Sequence, residues 1–172
     1  MAKRRRRGVV LVGHGAIPKD YPRERVTRLK SLEARRRAQS QPPSDDEREL
    51  DRHIRTWPRS QDTDPYRAGL EALAAEVRML LDDDLFAVAY NEFCAPTVEE
   101  AVEGLIKQGA ETIVVVSSMF TPGGSHAEIE IPESLERLRA KYPRVPIHYA
   151  WPFDLSMIAG MLVSHLNRMP SE

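Results

Sequence analysis

The chain holds one cysteine in 172 residues, Cys94. No disulfide can close within it, so the fold must rest on an apolar core. That fits a reducing compartment, and a cytoplasmic location is the expectation. Aromatic residues are scarce at 6%. They nowhere interleave with basic residues, which argues against a nucleic-acid face. Charge of one sign is also lacking, because the net charge is −1 and no strong field calls for a polyanionic partner. Long hydrophobic runs are missing too. The basic start "MAKRRRRG" leads into "VVLVG", too short for a signal core or a membrane span, so no membrane association is expected. This start reads as a solvated lead-in to a first strand. The segment "GHGAIP" lacks the third glycine of a dinucleotide fingerprint, and no internal repeat is visible.

What is present is an alternation of strand and helix patterns. With 172 residues and 41% hydrophobic content, the chain suits one domain spanning residues 1–172. "GVVLV", "LFAVAY", "TIVVVSSMF" and "PIHYAW" read as strands, near-continuously apolar as strands buried on both faces are. Between them run helical patterns: one opened by Asp64 and Pro65, one opened by Pro96 and closed by Gly109, one after Ser125 with an early proline, and a last amphipathic stretch near the end. The implied fold is α/β, a four-stranded parallel sheet with helices on both faces. The segment of about 17–64 does not fit this plan. Val26, Leu29 and Leu32 lie about one turn apart, and "DDERELDRHIRTWP" has a cap at Ser44 and a stop at Pro58. A charged helical insertion or lid is one reading; a mobile excursion with no part in the chemistry is the other.

Two glycine-flanked histidines stand out. His14 lies in "GHG" beyond the first strand, and His126 follows the Gly-Gly of "TPGGSH". Glu92 ends the strand between them. In parallel α/β sheets ligands bind beyond the carboxyl ends of the strands, so all three side chains are expected at one sheet edge. Two imidazoles and a carboxylate suit a divalent first-row metal with positions left open, and equally suit acid–base work. A turn hydrogen bond remains the alternative for either histidine alone. "TPGGSH" also offers backbone amides to an anion. Cys94 is expected to be a buried thiol, with a fourth metal ligand as the alternative. His53, His148 and His165 carry no partner signature and read as structural or surface residues. Met157, Met161 and Met169, at helical spacing, read as core or subunit contact.

Taken together, "LVGHG", "AYNEFCAPTVEEA" and "IVVVSSMFTPGGSHAEIEIP" resemble the small class II tetrapyrrole chelatases, the CbiX/SirB-type sirohydrochlorin cobalto- and ferrochelatases. The resemblance covers Gly8–Gly15 and most of Pro65–His165. It implies a lyase of tetrapyrrole biosynthesis, on the siroheme or cobalamin route, that inserts Co²⁺, Fe²⁺ or Ni²⁺ into a sirohydrochlorin-type ring. It further implies that His14 and His126 bind the incoming metal and take protons from the pyrrole nitrogens, assisted by Glu92. The metal would then be substrate, with no resident cofactor, and the partners would be the tetrapyrrole, the ion and a second copy in a homodimer. Basic residues of the insertion are expected near the acidic side chains of such a substrate. This sequence departs from the family pattern at Ser117, where a proline is usual, at Glu130, where an aspartate is usual, and in the insertion itself. A binding protein that kept the site without turnover is the competing class, and a nucleotide- or phosphate-binding domain the third.

Overall fold

The computed structural model describes residues 6–170. Most of the basic lead-in therefore lies outside the described residues. Four β-branched runs form the strands β1 (Arg7–Gly13), β2 (Leu85–Tyr90), β3 (Thr112–Ser117) and β4 (Ile147–Tyr149). The helices are α1 (Arg23–Gln39), α2 (Asp45–Arg55), α3 (Pro65–Leu80), α4 (Val98–Lys107), α5 (Ile131–Lys141) and α6 (Leu155–Leu166). All strand pairs are parallel, in the order β2-β1-β3-β4. Parallel neighbours need long crossovers, which α3, α4 and α5 supply.

The helix starts follow their local chemistry. The Asp64 side chain accepts from the Arg67 amide, with Pro65 in the first turn of α3. Thr97 and Glu100 form a reciprocal capping box at α4. Ser44 caps α2 through the Glu47 amide, as its spacing predicts. The early proline of the segment after Ser125 has a specific outcome: a π-helical turn, His126–Glu130, precedes α5. Pro132 falls in the first turn of α5 and brings no amide to the turn before it, where the Ala127 carbonyl accepts from the Tyr149 hydroxyl at 3.0 Å instead.

The sheet is covered on two faces, as its apolar strands require. Val10, Val12, Ala89, Ile113 and Val115 pack with Val102 and Leu105 of α4 and with Leu135 and Leu138 of α5. On the opposite face Leu11 and Tyr90 pack with Leu70 and Ala74 of α3. The excursion between β1 and α3 is ordered as two helices, α1 and α2, with a core of its own. Leu29, Leu50 and Ile54 gather there with Tyr21 and Phe93.

Of the two readings of the methionine cluster, core or subunit contact, the first does not hold. Met157, Met161 and Met169 are not core: they are 72%, 51% and 61% exposed. No residue of α6 is buried. Among the described residues no helix is long and apolar enough to cross a membrane.

Candidate metal centre

Strand order decides where the site lies. The chain runs from β1 to β2 on one side and then returns to β3 on the other, so the loops beyond β1 and β3 diverge. Such a switch point opens a crevice at the carboxyl ends of the strands. His14 leaves β1 there, Asn91 and Glu92 leave β2, and His126 arrives after the loop that follows β3. His14, Glu92 and His126 each present one ligand-type atom, and these atoms all lie within 4.8 Å of one another. The two imidazoles meet edge to face, with ring centroids 4.5 Å apart. All three residues are partly buried, so they are accessible yet sheltered.

The backbone fixes this convergence. Asn91 and Glu92 donate their amides to the carbonyls of Gly13 and His14, at 2.9 and 2.8 Å, extending the β1–β2 ladder by two residues beyond the sheet. Gly15 has φ +93°, and a Cβ there would lie 1.8 Å from the Glu92 carbonyl oxygen. The position therefore admits glycine alone. The His14 amide donates to the Tyr66 hydroxyl at 2.7 Å.

Each imidazole is oriented by its Nδ1. In His14, Nδ1 lies 2.7 Å from the Gly15 carbonyl oxygen. A carbonyl only accepts, so the proton sits on Nδ1 and the Nε2 lone pair is free. In His126, Nδ1 lies 2.8 Å from Asn91 Nδ2 and 3.0 Å from Glu130 Oε2, so it accepts from the amide in one tautomer and donates to the carboxylate in the other. Asn91 also donates to Glu130 at 2.7 Å. When Glu130 accepts from Nδ1–H, Nε2 of His126 is left as a ligand or base. Burial by itself pushes the Glu130 carboxyl up. Hydrogen bonds from His126 and Asn91, and the charges of His126 and Arg37, outweigh it and hold the carboxyl below its usual range.

Asn91 and Glu130 thus belong to the site although no motif pointed to their roles. Glu130 had two signals, its place at an acidic position of the family pattern and its spacing of four from His126, which places both on one face of a helix. Asn91 had none. Other expectations resolve plainly. Cys94 is fully buried, its thiol donates to the Ala95 carbonyl, and burial raises its pKa. It is not among the converging ligands. The amide of Gly123, offered to an anion by the glycine loop, instead donates to the Glu128 carboxylate at 2.8 Å. His53 packs against Tyr21 and Trp57 inside the excursion, while His148 and His165 are exposed.

Beside the three residues a cavity of about 830 Å³ separates the excursion from the body. Glu33, Arg37 and Asp51 line one wall, and Asn91, Glu92 and Glu130 the other. Arg37 of α1 reaches Glu130 across it at 3.4 Å. Burial, and then the charge of Glu92, raise the Glu33 carboxyl.

Known proteins share this frame. A sirohydrochlorin ferrochelatase of Priestia megaterium is 33% identical over 88 residues, covering 51% of this chain and 33% of that enzyme. A sirohydrochlorin cobaltochelatase of Methanopyrus kandleri is 38% identical over 72 residues, covering 41% of this chain and 50% of that one. The chain matches at most about half the length of these curated relatives. Among solved structures, the sirohydrochlorin chelatase SirB of Bacillus subtilis subspecies spizizenii, in complex with cobalt, superposes with a TM-score of 0.54 at 19% identity. The superposition takes in 95% of this chain and 51% of SirB, and it establishes the shared α/β fold. The CbiX family model matches residues 60–165, more than half of the sequence and both the Glu92 and His126 segments, and the chain therefore belongs to the CbiX family.

Proposed function

We propose that this protein inserts a divalent metal ion into a sirohydrochlorin-type tetrapyrrole, as a metal chelatase of the lyase class. The observation that carries the reading is the convergence of His14, Glu92 and His126 within 4.8 Å at the switch point of the sheet. Similarity to relatives named sirohydrochlorin ferrochelatase and cobaltochelatase supports the substrate class. Those names divide between iron and cobalt; two imidazoles and one carboxylate are compatible with both, and Co²⁺ is our first choice.

Insertion exchanges two protons for one M²⁺, so the site must hold the ion, shed its water and let it go. Three donors from three separate loops suit this better than a closed four-ligand cage, which would retain the metal. We assign Nε2 of His14, Nε2 of His126 and the Glu92 carboxylate as the docking atoms. Once the ion leaves them, the same atoms are free to accept the pyrrole protons. Glu130, receiving Nδ1–H of His126, stabilises the imidazolium that results.

We further propose a homodimer, one domain per subunit. SirB, about twice as long in the matched frame, is covered to 51% by this chain. In addition α6 presents Leu155, Met157, Met161, Leu162 and Leu166, all at least 48% exposed, to water. A helix that exposes so many large apolar side chains is normally covered, and a second copy supplies such cover. A cytoplasmic location fits the buried free thiol of Cys94.

The test is anaerobic incubation of purified protein with sirohydrochlorin and Co²⁺ or Fe²⁺, followed by the absorbance change of the macrocycle. His126→Ala is expected to slow insertion by about 10²–10⁴-fold, the usual span of a lost acid–base group. An undiminished rate in His126→Ala, with wild-type turnover established, would refute the assignment. Metal binding without turnover in the wild type would instead leave a binding protein.

A further inference from the structure

Apart from the Arg37–Glu130 contact, the side-chain bonds that tie the excursion between β1 and α3 to the body gather at the loop that carries Glu92. Arg55, at the end of α2, donates to the carbonyl of Cys94 at 2.9 Å and to that of Asn91 at 3.2 Å. Its Nε is held by Asp51. Arg59 donates to the carbonyl of Phe93, to those of Ala16 and Ile54 at 2.9 Å each, and to Asp64. The Arg59 side chain is 1% exposed and that of Asp64 is 0% exposed. Phe93, in the left-handed conformation with φ 56°, inserts its ring into the excursion's own core beside Leu29, Leu50 and Ile54. The carbonyls of Asn91, Phe93 and Cys94, which bracket Glu92, are thus all bonded by arginines from outside the sheet.

We propose that the excursion is a clamp that fixes the Glu92 loop, with Arg55 and Arg59 as positioning residues and Phe93 as the anchored plug. This rests on the reading of Glu92 as a metal-docking residue. The chemical reason is the character of the loop. It contains a left-handed residue, and its own backbone bonds, Tyr90 amide to the Pro96 carbonyl at 2.9 Å and Cys94 amide to the Glu92 carbonyl at 2.6 Å, leave the carbonyls of Asn91, Phe93 and Cys94 to be held from outside. Charge-assisted bonds from a guanidinium are geometrically demanding, and its forked donors bind two carbonyls at once. Held on one side by the β1 carbonyls and on the other by the arginines, the carboxylate is presented to His14 and His126 in one place. A site of only three donors needs that precision, because small displacements of a reacting group cost large factors in rate.

Cys94 makes the clamp measurable. It is the sole cysteine, fully buried, and its carbonyl is one of those Arg55 binds. Its rate of labelling by 5,5′-dithiobis(2-nitrobenzoate) reports opening of this loop. Arg55→Met is expected to label at least about tenfold faster, Arg55→Lys to fall between it and wild type, and Arg35→Gln, which removes an exposed arginine of the same excursion, to label as wild type. Co²⁺ affinity, followed by the visible spectrum of the bound ion, is expected to drop about tenfold in Arg55→Met and less in Arg55→Lys. Labelling within twofold of wild type in folded Arg55→Met and Arg55→Lys overturns the clamp. Faster labelling with unchanged Co²⁺ affinity and spectrum overturns the positioning of Glu92. Wild-type protein that takes up no Co²⁺ overturns the metal reading instead, and the labelling rates alone then decide the clamp. Arg59 is left intact because its loss would strand buried Asp64.

Discussion

Replacing Gly15 by alanine probes the meeting of β1 and the Glu92 loop with a single methyl group. Two costs add. Gly15 has φ +93°, a region that alanine occupies at a cost of about 1–3 kcal/mol. The new Cβ would lie 1.8 Å from the Glu92 carbonyl oxygen, with the Glu92 carbonyl carbon at 2.9 Å. Ordinary carbon–oxygen contacts begin near 3.3 Å, so one side must retreat by about 1.5 Å. Both sides are backbone, and neither has a rotamer to turn. Retreat breaks the bond from the Glu92 amide to the His14 carbonyl, now 2.8 Å, worth about 1 kcal/mol. The total is about 2–4 kcal/mol, or a fall in Tm of roughly 5–15 °C for a chain of this size. A shift of that size also parts His14 from Glu92, and misplacement by about 1 Å costs about 10²-fold in rate. Differential scanning calorimetry and Co²⁺ titration of Gly15→Ala read the two effects separately. A Tm within about 2 °C of wild type, together with unchanged Co²⁺ affinity, would refute both the packing argument and the shared site.

Glu130→Gln keeps the shape of the His126 partner and removes its charge. The Glu130 pKa is held below its usual value in the fold, so its contribution is complete above the ordinary glutamate range and is lost as pH falls through the lowered folded value. The acid limb of Tm against pH is therefore expected to be shallower in Glu130→Gln than in wild type, and the pH profile of metal insertion to shift; superimposable limbs would count against the pairing. Leu162→Asp, on a helix with no buried residue, is expected to leave the monomer's circular dichroism intact and to convert a dimer to monomers in sedimentation equilibrium. Thr97→Ala removes one half of the α4 capping box and is expected to cost about 1 kcal/mol, a Tm drop of about 2–4 °C by calorimetry, with the Co²⁺ spectrum unchanged.

Much of the fold was legible because its signals are local. β1, β2 and β3 are continuous apolar runs, and a strand buried on both faces has to be written that way. Caps at Ser44 and Asp64 mark helix starts because the orphan amides of a first turn need an oxygen within three residues, whereas the α4 start was legible from Pro96 and its Thr97 cap emerged only in the structure. Ser44 and the leucine spacing also made the excursion readable as helical. The histidines were legible from the glycines around them, which free a side chain at a strand end.

What stayed hidden is set by contacts between distant segments. Nothing near Arg55 or Arg59 says that their partners are carbonyls of residues 91, 93 and 94, because backbone acceptors look alike in every residue. Nothing in α6 says that it lies uncovered, since an apolar helix has the same pattern whether its cover comes from its own sheet or from another chain. The amino-acid sequence by itself determined which segments are strands and helices and which side chains stand at their ends, through periodicity, capping and backbone freedom acting over a few residues. The tertiary structure alone decided that β1 lies between β2 and β3. That order brings residues 14, 92 and 126 into reach of one ion, because strand neighbours are chosen by the burial of whole faces and not by any residue's immediate context.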